Sequence, residues 1–207
     1  MTIASKEERR RRTRSDGQRT RGAILREAAS LATVEGLEGL SIGRLAAAIG
    51  ISKSGLYAHF GSKEELQLAT VAQAERILAD EVIQPAMAAP PGLGQLAAIC
   101  EAFFSYVERG VFPGGCFFAA TALEMGTRPG AVRDRLAAIQ HDFTALLSSF
   151  ARTALGQHEL PAGEDPDRLA FELHAILLGA DTKFVLHDDP TVFDLARQVV
   201  RRRLGIP

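Results

Sequence analysis

Apolar residues recur along this chain at three- and four-residue spacing in one segment after another, and no segment shows the alternation of a β-strand. In residues 18–34, Ile24, Leu25, Ala28, Leu31 and Ala32 fall on one stripe, which predicts an amphipathic helix. Gly36 is placed to close that helix in the left-handed conformation. Ser41 predicts the N-cap of a second helix with Ile42, Leu45, Ala46 and Ile49 on its inner face, and Gly50 breaks it. Ser52 predicts the cap of a third, short helix. Ser62, with Glu65 three residues on, reads as a capping box for a fourth, which runs to about Val82 before Pro85 stops it.

Beyond a linker at 85–94, "PAMAAPPGLG", helices are expected at 93–109, 116–125, 130–154, 166–186 and 191–203. Turns fall at "FPGG" (112–115) and "GTRPG" (126–130), and Asp165 before Pro166 is a strong helix start. The fold class is therefore all-α. A three-helix head occupies 18–64 and joins a helical body, 65–207, through a connecting helix at 63–84. Residues 1–17 read as a basic, disordered arm.

The third helix raises a functional question. In "ISKSGLYAHFGSKEEL" (51–66), Leu56 and Phe60 lie four residues apart and make a small apolar edge, while Ser54, Gly55, Tyr57, Ala58 and His59 point elsewhere. A helix anchored by two residues presents the rest to a partner. Two helices joined by a short glycine-containing turn form a helix-turn-helix, whose second helix enters the major groove of DNA. Gly55 costs about 1 kcal/mol of helix stability against alanine but lets the backbone approach a duplex closely. Lys53 and Lys63 sit near helix starts, where phosphate binds. Tyr57 offers a ring or a hydroxyl, and His59 a donor to phosphate.

Charge agrees with this division. Residues 1–60 hold 11 Lys and Arg against 6 Asp and Glu, and residues 61–207 hold 13 against 19, so a basic head sits on an acidic body. No apolar run is long enough for a membrane helix and no secretory segment opens the chain, so a cytoplasmic protein is expected. Cys100 and Cys116, outside any CxxC pair, fit neither a disulfide framework nor a structural zinc site. No cofactor is expected.

The run "LSIGRLAAAIGISKSGLYAHFGSKEEL" resembles the DNA-binding signature of TetR-type transcriptional regulators, in the turn glycine Gly50, the run from Leu56 to Phe60 and Lys63. The resemblance covers roughly 19–68. It implies an all-α homodimer that binds operator DNA through its N-terminal domain and a small molecule through its C-terminal domain, pairing through the last two long helices. It also implies that Tyr57, His59 and Lys63 contact DNA, with Ser41 and Lys53 alongside; Arg21, Arg44, Ser54 and Gly55 complete the expected surface. One departure is Gly43, where some members carry a long base-reading side chain.

In the body, the helix from Pro166 is apolar nearly all round, so it must be covered on most sides. The helix at 191–203 is amphipathic and completes a candidate dimer interface, which would set two recognition helices about 34–36 Å apart on a palindromic site. Ten of the 11 phenylalanines lie in the body. The residues expected to line an effector pocket are Phe103, Phe117, Phe118, Met125, Phe143 and His174. Two other classes compete: an all-α enzyme using His141, His174 or Cys116, and a nonspecific basic DNA-binding protein. The first lacks any nucleophile, phosphate-loop or metalloprotease motif, and the acidic body argues against the second. The expected function is a repressor released from DNA by a small apolar effector.

Overall fold

A computed structural model describes residues 6–206, with backbone alone at 6–16 and 18. Among the described residues every regular element is helical. In the head, α1 (Lys6–Glu35) packs against α2 (Ile42–Ile49) and against α4 (Lys63–Leu78), and α3 (Lys53–Phe60) packs against α2 and α4. α4 runs on into the body, where it meets α8 (Ala131–Gly156). The rest of the body comprises α5 (Gln84–Met87), α6 (Leu93–Glu108), α7 (Phe117–Met125), α9 (Pro166–His187) and α10 (Thr191–Leu204). α9 lies against α8, α10 and α6, and α7 bridges α1 to α8. Head and body share one continuous apolar core, from Ile24 and Leu25 to Val200 and Leu204.

Two expectations are corrected. The first helix begins at Lys6, not near Gln18; residues 1–5 of the expected arm lie outside the described residues. A segment built of Glu and Arg favours helix without any apolar stripe. Pro85, moreover, does not stop the connecting helix. A π-helical turn at Ala79–Ile83 follows α4, and helical backbone continues through Pro85 to Met87. Proline lacks an N–H and crowds the carbonyl four residues back; a wider turn just before it accommodates both defects.

Local signals in the head otherwise act as read. Gly36 takes φ +84° after α1 and Gly50 φ +70° after α2. The Ser41, Ser52 and Ser62 hydroxyls accept hydrogen bonds from the backbone N–H groups of Arg44, Gly55 and Glu65 at 3.2, 3.1 and 3.1 Å. The capping box at Ser62 is only half formed, since the Glu65 carboxylate turns toward Gly61.

The head is latched to the body at two places. On α7, Glu124 accepts from the backbone N–H groups of Leu37 (2.7 Å) and Glu38 (2.9 Å), in the turn between α1 and α2. The "PGGC" turn before α7 lies on the C-terminal part of α1, where Gly114 N–H donates to Thr33 Oγ1 at 3.1 Å. A Cβ on Gly114 would stand 2.1 Å from the Thr33 carbonyl oxygen. Next to it, Gly115 has φ +80° and no room for a Cβ beside Asp181, whose buried carboxylate accepts from Cys116 N–H at 2.8 Å. Burial pushes the Asp181 carboxyl up to about 6, and the Cys116 N–H bond pulls the other way.

Candidate nucleic-acid interface and body cavity

α3 divides its residues as the two-anchor reading requires. Leu56 and Phe60 are buried in the core, while Lys53, Ser54, Gly55, Ala58 and His59 are exposed and Tyr57 is 58% exposed. Ser41 and Lys63 are also exposed. Gly55 has ordinary helical φ, and a Cβ there would touch only Ser52 Oγ at 3.1 Å. Packing within the chain therefore does not demand glycine at this position.

The cations of the head are held in specific places. The Arg21 guanidinium stacks over the Phe60 ring, 4.9 Å from its centroid, so α1 places a charge beside the end of α3. Arg44 is hydrogen-bonded to Glu35, which holds that carboxyl below its usual range. Lys63 pairs with Glu38 at 2.7 Å. Both pairs are partly exposed, where ion pairs are weak and exchange readily for phosphate. Lys53 lies across Gly43, where an added Cβ would stand 3.2 Å from Lys53 Cε. The glycine that departs from the family pattern thus makes room for the lysine stem.

In the body, Phe103, Phe118, Phe143 and His174 come together around a small cavity of about 20 Å³, with Leu78, Cys116, Ile139, Gln140 and Leu178 completing its wall. Phe117 does not reach it. That ring is fully buried between Phe112 and Phe118. Met125 lines a separate crevice with Arg133 and Leu136, divided from the first by Gln140. Periodicity could place Phe117 and Phe118 on one helix, but only the neighbouring helices decide which ring faces core and which faces cavity.

His174 Nδ1 lies 3.2 Å from Thr144 Oγ1, and the Thr144 hydroxyl donates to the Gln140 carbonyl at 3.0 Å. Burial lowers the His174 pKa and so favours the neutral ring. Sequence reasoning missed Thr144 and Gln140; their signal was their position four residues apart beside Phe143 on α8. The residues of the enzyme alternative do not form a set. His141 is exposed on α8, and burial pushes the Cys116 thiol up to about 12, so it stays protonated. Among the described residues no group of three or more His, Cys, Asp or Glu is placed to hold a metal ion, and no helix is long and apolar enough to cross a membrane.

α9 and α10 each carry a second apolar face. Phe171 (69% exposed), Ala175, Thr182 and Leu186 (73%) run along the outer side of α9, and Leu195 and Val199 are exposed on α10. The inner face of α10 is Phe193, Ala196, Val200 and Leu204, so Leu195 and Val199 lie opposite the core.

A helix-turn-helix head on a helical body with an internal cavity defines a DNA-binding transcriptional regulator. The family profile described as "Bacterial regulatory proteins, tetR family" matches residues 24–70, and that described as "Tetracyclin repressor-like, C-terminal domain" matches 92–200. The chain belongs to the TetR family of transcriptional regulators. Among solved structures, it is similar to a TetR transcriptional regulator from Chloroflexus aurantiacus J-10-FL, with 28% identity, TM-score 0.85, and coverage of 92% of this chain and 96% of the other. A TetR-family regulator from Cytophaga hutchinsonii shares the fold at 20% identity and TM-score 0.79, covering 99% and 97%. AibR, solved in complex with isovaleryl coenzyme A and operator DNA, shares it at 24% identity and TM-score 0.70, covering 88% and 97%. Among curated proteins none matches the chain.

Proposed function

We propose that the protein is a homodimeric repressor that holds a palindromic operator through α3 and leaves it when a small, largely apolar effector fills the body cavity. The observation that carries the DNA contact is the split of α3 into two buried anchors and an outward face of Lys53, Ser54, Gly55, Tyr57 and His59. Ser41, Arg21, Arg44 and Lys63 flank that face; the cations meet phosphate by exchanging their present partners for it. Pairing rests on the exposed apolar side chains of α9 and α10, Phe171, Leu186, Leu195 and Val199 among them. Two-fold pairing there puts two α3 helices on successive major grooves. A member of the same fold crystallised with both an acyl-coenzyme A and operator DNA supports a body that takes a ligand while the head takes DNA. Release requires only that the effector prefer the body shape in which the heads are misplaced, by about 1–3 kcal/mol.

The test is fluorescence anisotropy with a palindromic site selected from random duplexes by the full-length protein. Tyr57→Ala is expected to weaken binding to that site at least thirtyfold, a loss of about 2 kcal/mol, with an unchanged melting curve and an unchanged dimer by sedimentation. Unaltered affinity, or collapse of the fold instead, would mean that α3 does not present Tyr57 to DNA.

A further inference from the structure

We propose that the N-terminal end of α1, residues 6–18, is a second DNA-holding element that lies on the phosphates flanking each half-site and reads no bases. The proposal rests on the operator reading above and extends it past the helix-turn-helix. Residues 6–18 carry six Lys and Arg against three Asp and Glu. From Lys6 to Gly22 the chain holds no aliphatic or aromatic side chain, so this part of α1 has nothing to bury in its own core or in a lipid surface. Helix forms there all the same. Glu7 and Arg11, and Glu8 and Arg12, stand at the four-residue spacing that supports a helix without tertiary packing. Arg9, Arg10, Arg11 and Arg12 follow one another at about 100° per residue, which spreads positive charge round the whole circumference. A cationic rod without an apolar stripe fits a polyanion, and neither an apolar groove nor a bilayer.

The fold fixes where that rod starts. α1 is fastened to the body near its C-terminal end, where Thr33 receives the Gly114 N–H. About 18 Å back along the axis, at 1.5 Å per residue, the Arg21 guanidinium lies over the ring of Phe60, the last residue of α3. The helix thus runs from the body past the end of α3, and its first residue, Lys6, lies about 22 Å further out than Arg21. At about 3.4 Å per nucleotide of one strand, that length matches about six base pairs of flanking duplex. Gly17 and Gly22 stand where the rod joins the head, and a Cβ on either would meet nothing within 4 Å. Packing among the described residues asks for neither glycine, and both lower the cost of a bend by which the rod can follow the duplex.

Anisotropy with the full-length protein over a series of potassium chloride concentrations tests this, on the selected operator and on a random duplex, each with about ten flanking base pairs a side. Arg9→Gln, Arg10→Gln, Arg11→Gln and Arg12→Gln, made together, remove the charge and keep a good helix former at each position. The fourfold variant is expected to bind both duplexes at least tenfold more weakly at about 0.1 M salt, by factors that agree within about threefold. Its plot of log Kd against log salt should be flatter by about 2 or more, the loss of at least two phosphate contacts at about 0.9 each. Its melting curve should not change. Trimming the flanks from the operator needs no variant: it should weaken the parent by the same factor and leave the fourfold variant unaffected. An unchanged slope, a loss confined to the operator, or an effect that survives trimming would overturn the proposal. So would a change of oligomeric state by sedimentation, which would assign the arginines to contacts between chains. Tyr57→Ala, run in parallel, separates the two readings. If it keeps the operator while the arginine variant loses both duplexes, α3 is not the reader and the basic rod still holds DNA. If it loses the operator while the arginine variant binds as the parent does, the rod alone falls.

Discussion

Head and body put the side chains proposed for function on opposite sides of the fold. In α3 the residues proposed to meet DNA face solvent, and the two that hold the helix, Leu56 and Phe60, face the core. In the body, the residues around the cavity, Phe103, Phe118, Phe143 and His174, are drawn from the same helices that make the core. On the proposed reading the head can therefore lose its function at no cost in stability, whereas in the body the residues proposed to bind a ligand also hold the fold. Tyr57 and Phe103 illustrate the contrast: one is 58% exposed and the other 3%.

The sharpest way to break this contrast is to damage the seam between the regions. Gly114→Ala drives a methyl against the Thr33 backbone, where no rotamer change can relieve it. A loss on the order of 3 kcal/mol is expected, read from chemical denaturation. Because the seam joins α1 to the turn before α7, operator affinity should fall as well, unlike any substitution confined to the cavity wall. An unchanged denaturation midpoint would show that the two regions are not latched there.

A smaller effect, and one of opposite sign, is expected at Asp181. In the unfolded chain its carboxyl ionises near 3.8, and in the fold near 6. Between those values the folded protein keeps a proton that the unfolded chain has lost, so stability falls as pH rises through that window. Above about pH 6 the full penalty is present, on the order of 2–3 kcal/mol. Asp181→Asn keeps an oxygen for the Cys116 N–H and removes the charge. It should raise the melting temperature at pH 7.5 and change little at pH 4. A variant less stable than the parent at pH 7.5 would mean that the ionised carboxylate contributes through its hydrogen bond more than its burial costs.

What could be read from the sequence follows the same division. The head is written in short-range signals: serine caps at 41, 52 and 62, glycines with positive φ at 36 and 50, and two anchors four residues apart. Each works within one or two turns of chain, so order along the sequence is enough to find it. The body helices were legible for the same reason, to within a few residues of their ends. Contacts between distant segments were not. Nothing local to Glu124 announces that it receives the backbone of Leu37 and Glu38, more than eighty positions away in the chain. Phe117 and Phe118 are neighbours of one type, and only α6, α8 and α9 around them send one to the core and the other to the cavity. The Lys53 side chain lying across Gly43 is another such contact, between residues ten positions apart.

The smallest expected change in stability is also the most direct measure of the head's design. A glycine inside an eight-residue helix is a loss unless something outside the chain needs the space. Within the molecule, a Cβ at residue 55 meets only Ser52 Oγ, at 3.1 Å, and that hydroxyl must shift by a few tenths of an ångström while it caps the helix. The helical gain from Gly55→Ala, about 1 kcal/mol, and the disturbance of the cap therefore nearly cancel, and the melting temperature should stay within a few degrees of the parent. Operator affinity should not stay. A methyl on the outward face holds the α3 backbone away from the groove and should weaken anisotropy-detected binding about tenfold, with the dimer unaffected. If Gly55→Ala binds the operator as tightly as the parent, close approach of this backbone is not what the glycine is for, and Tyr57, His59 and the surrounding cations must hold the site from a greater distance.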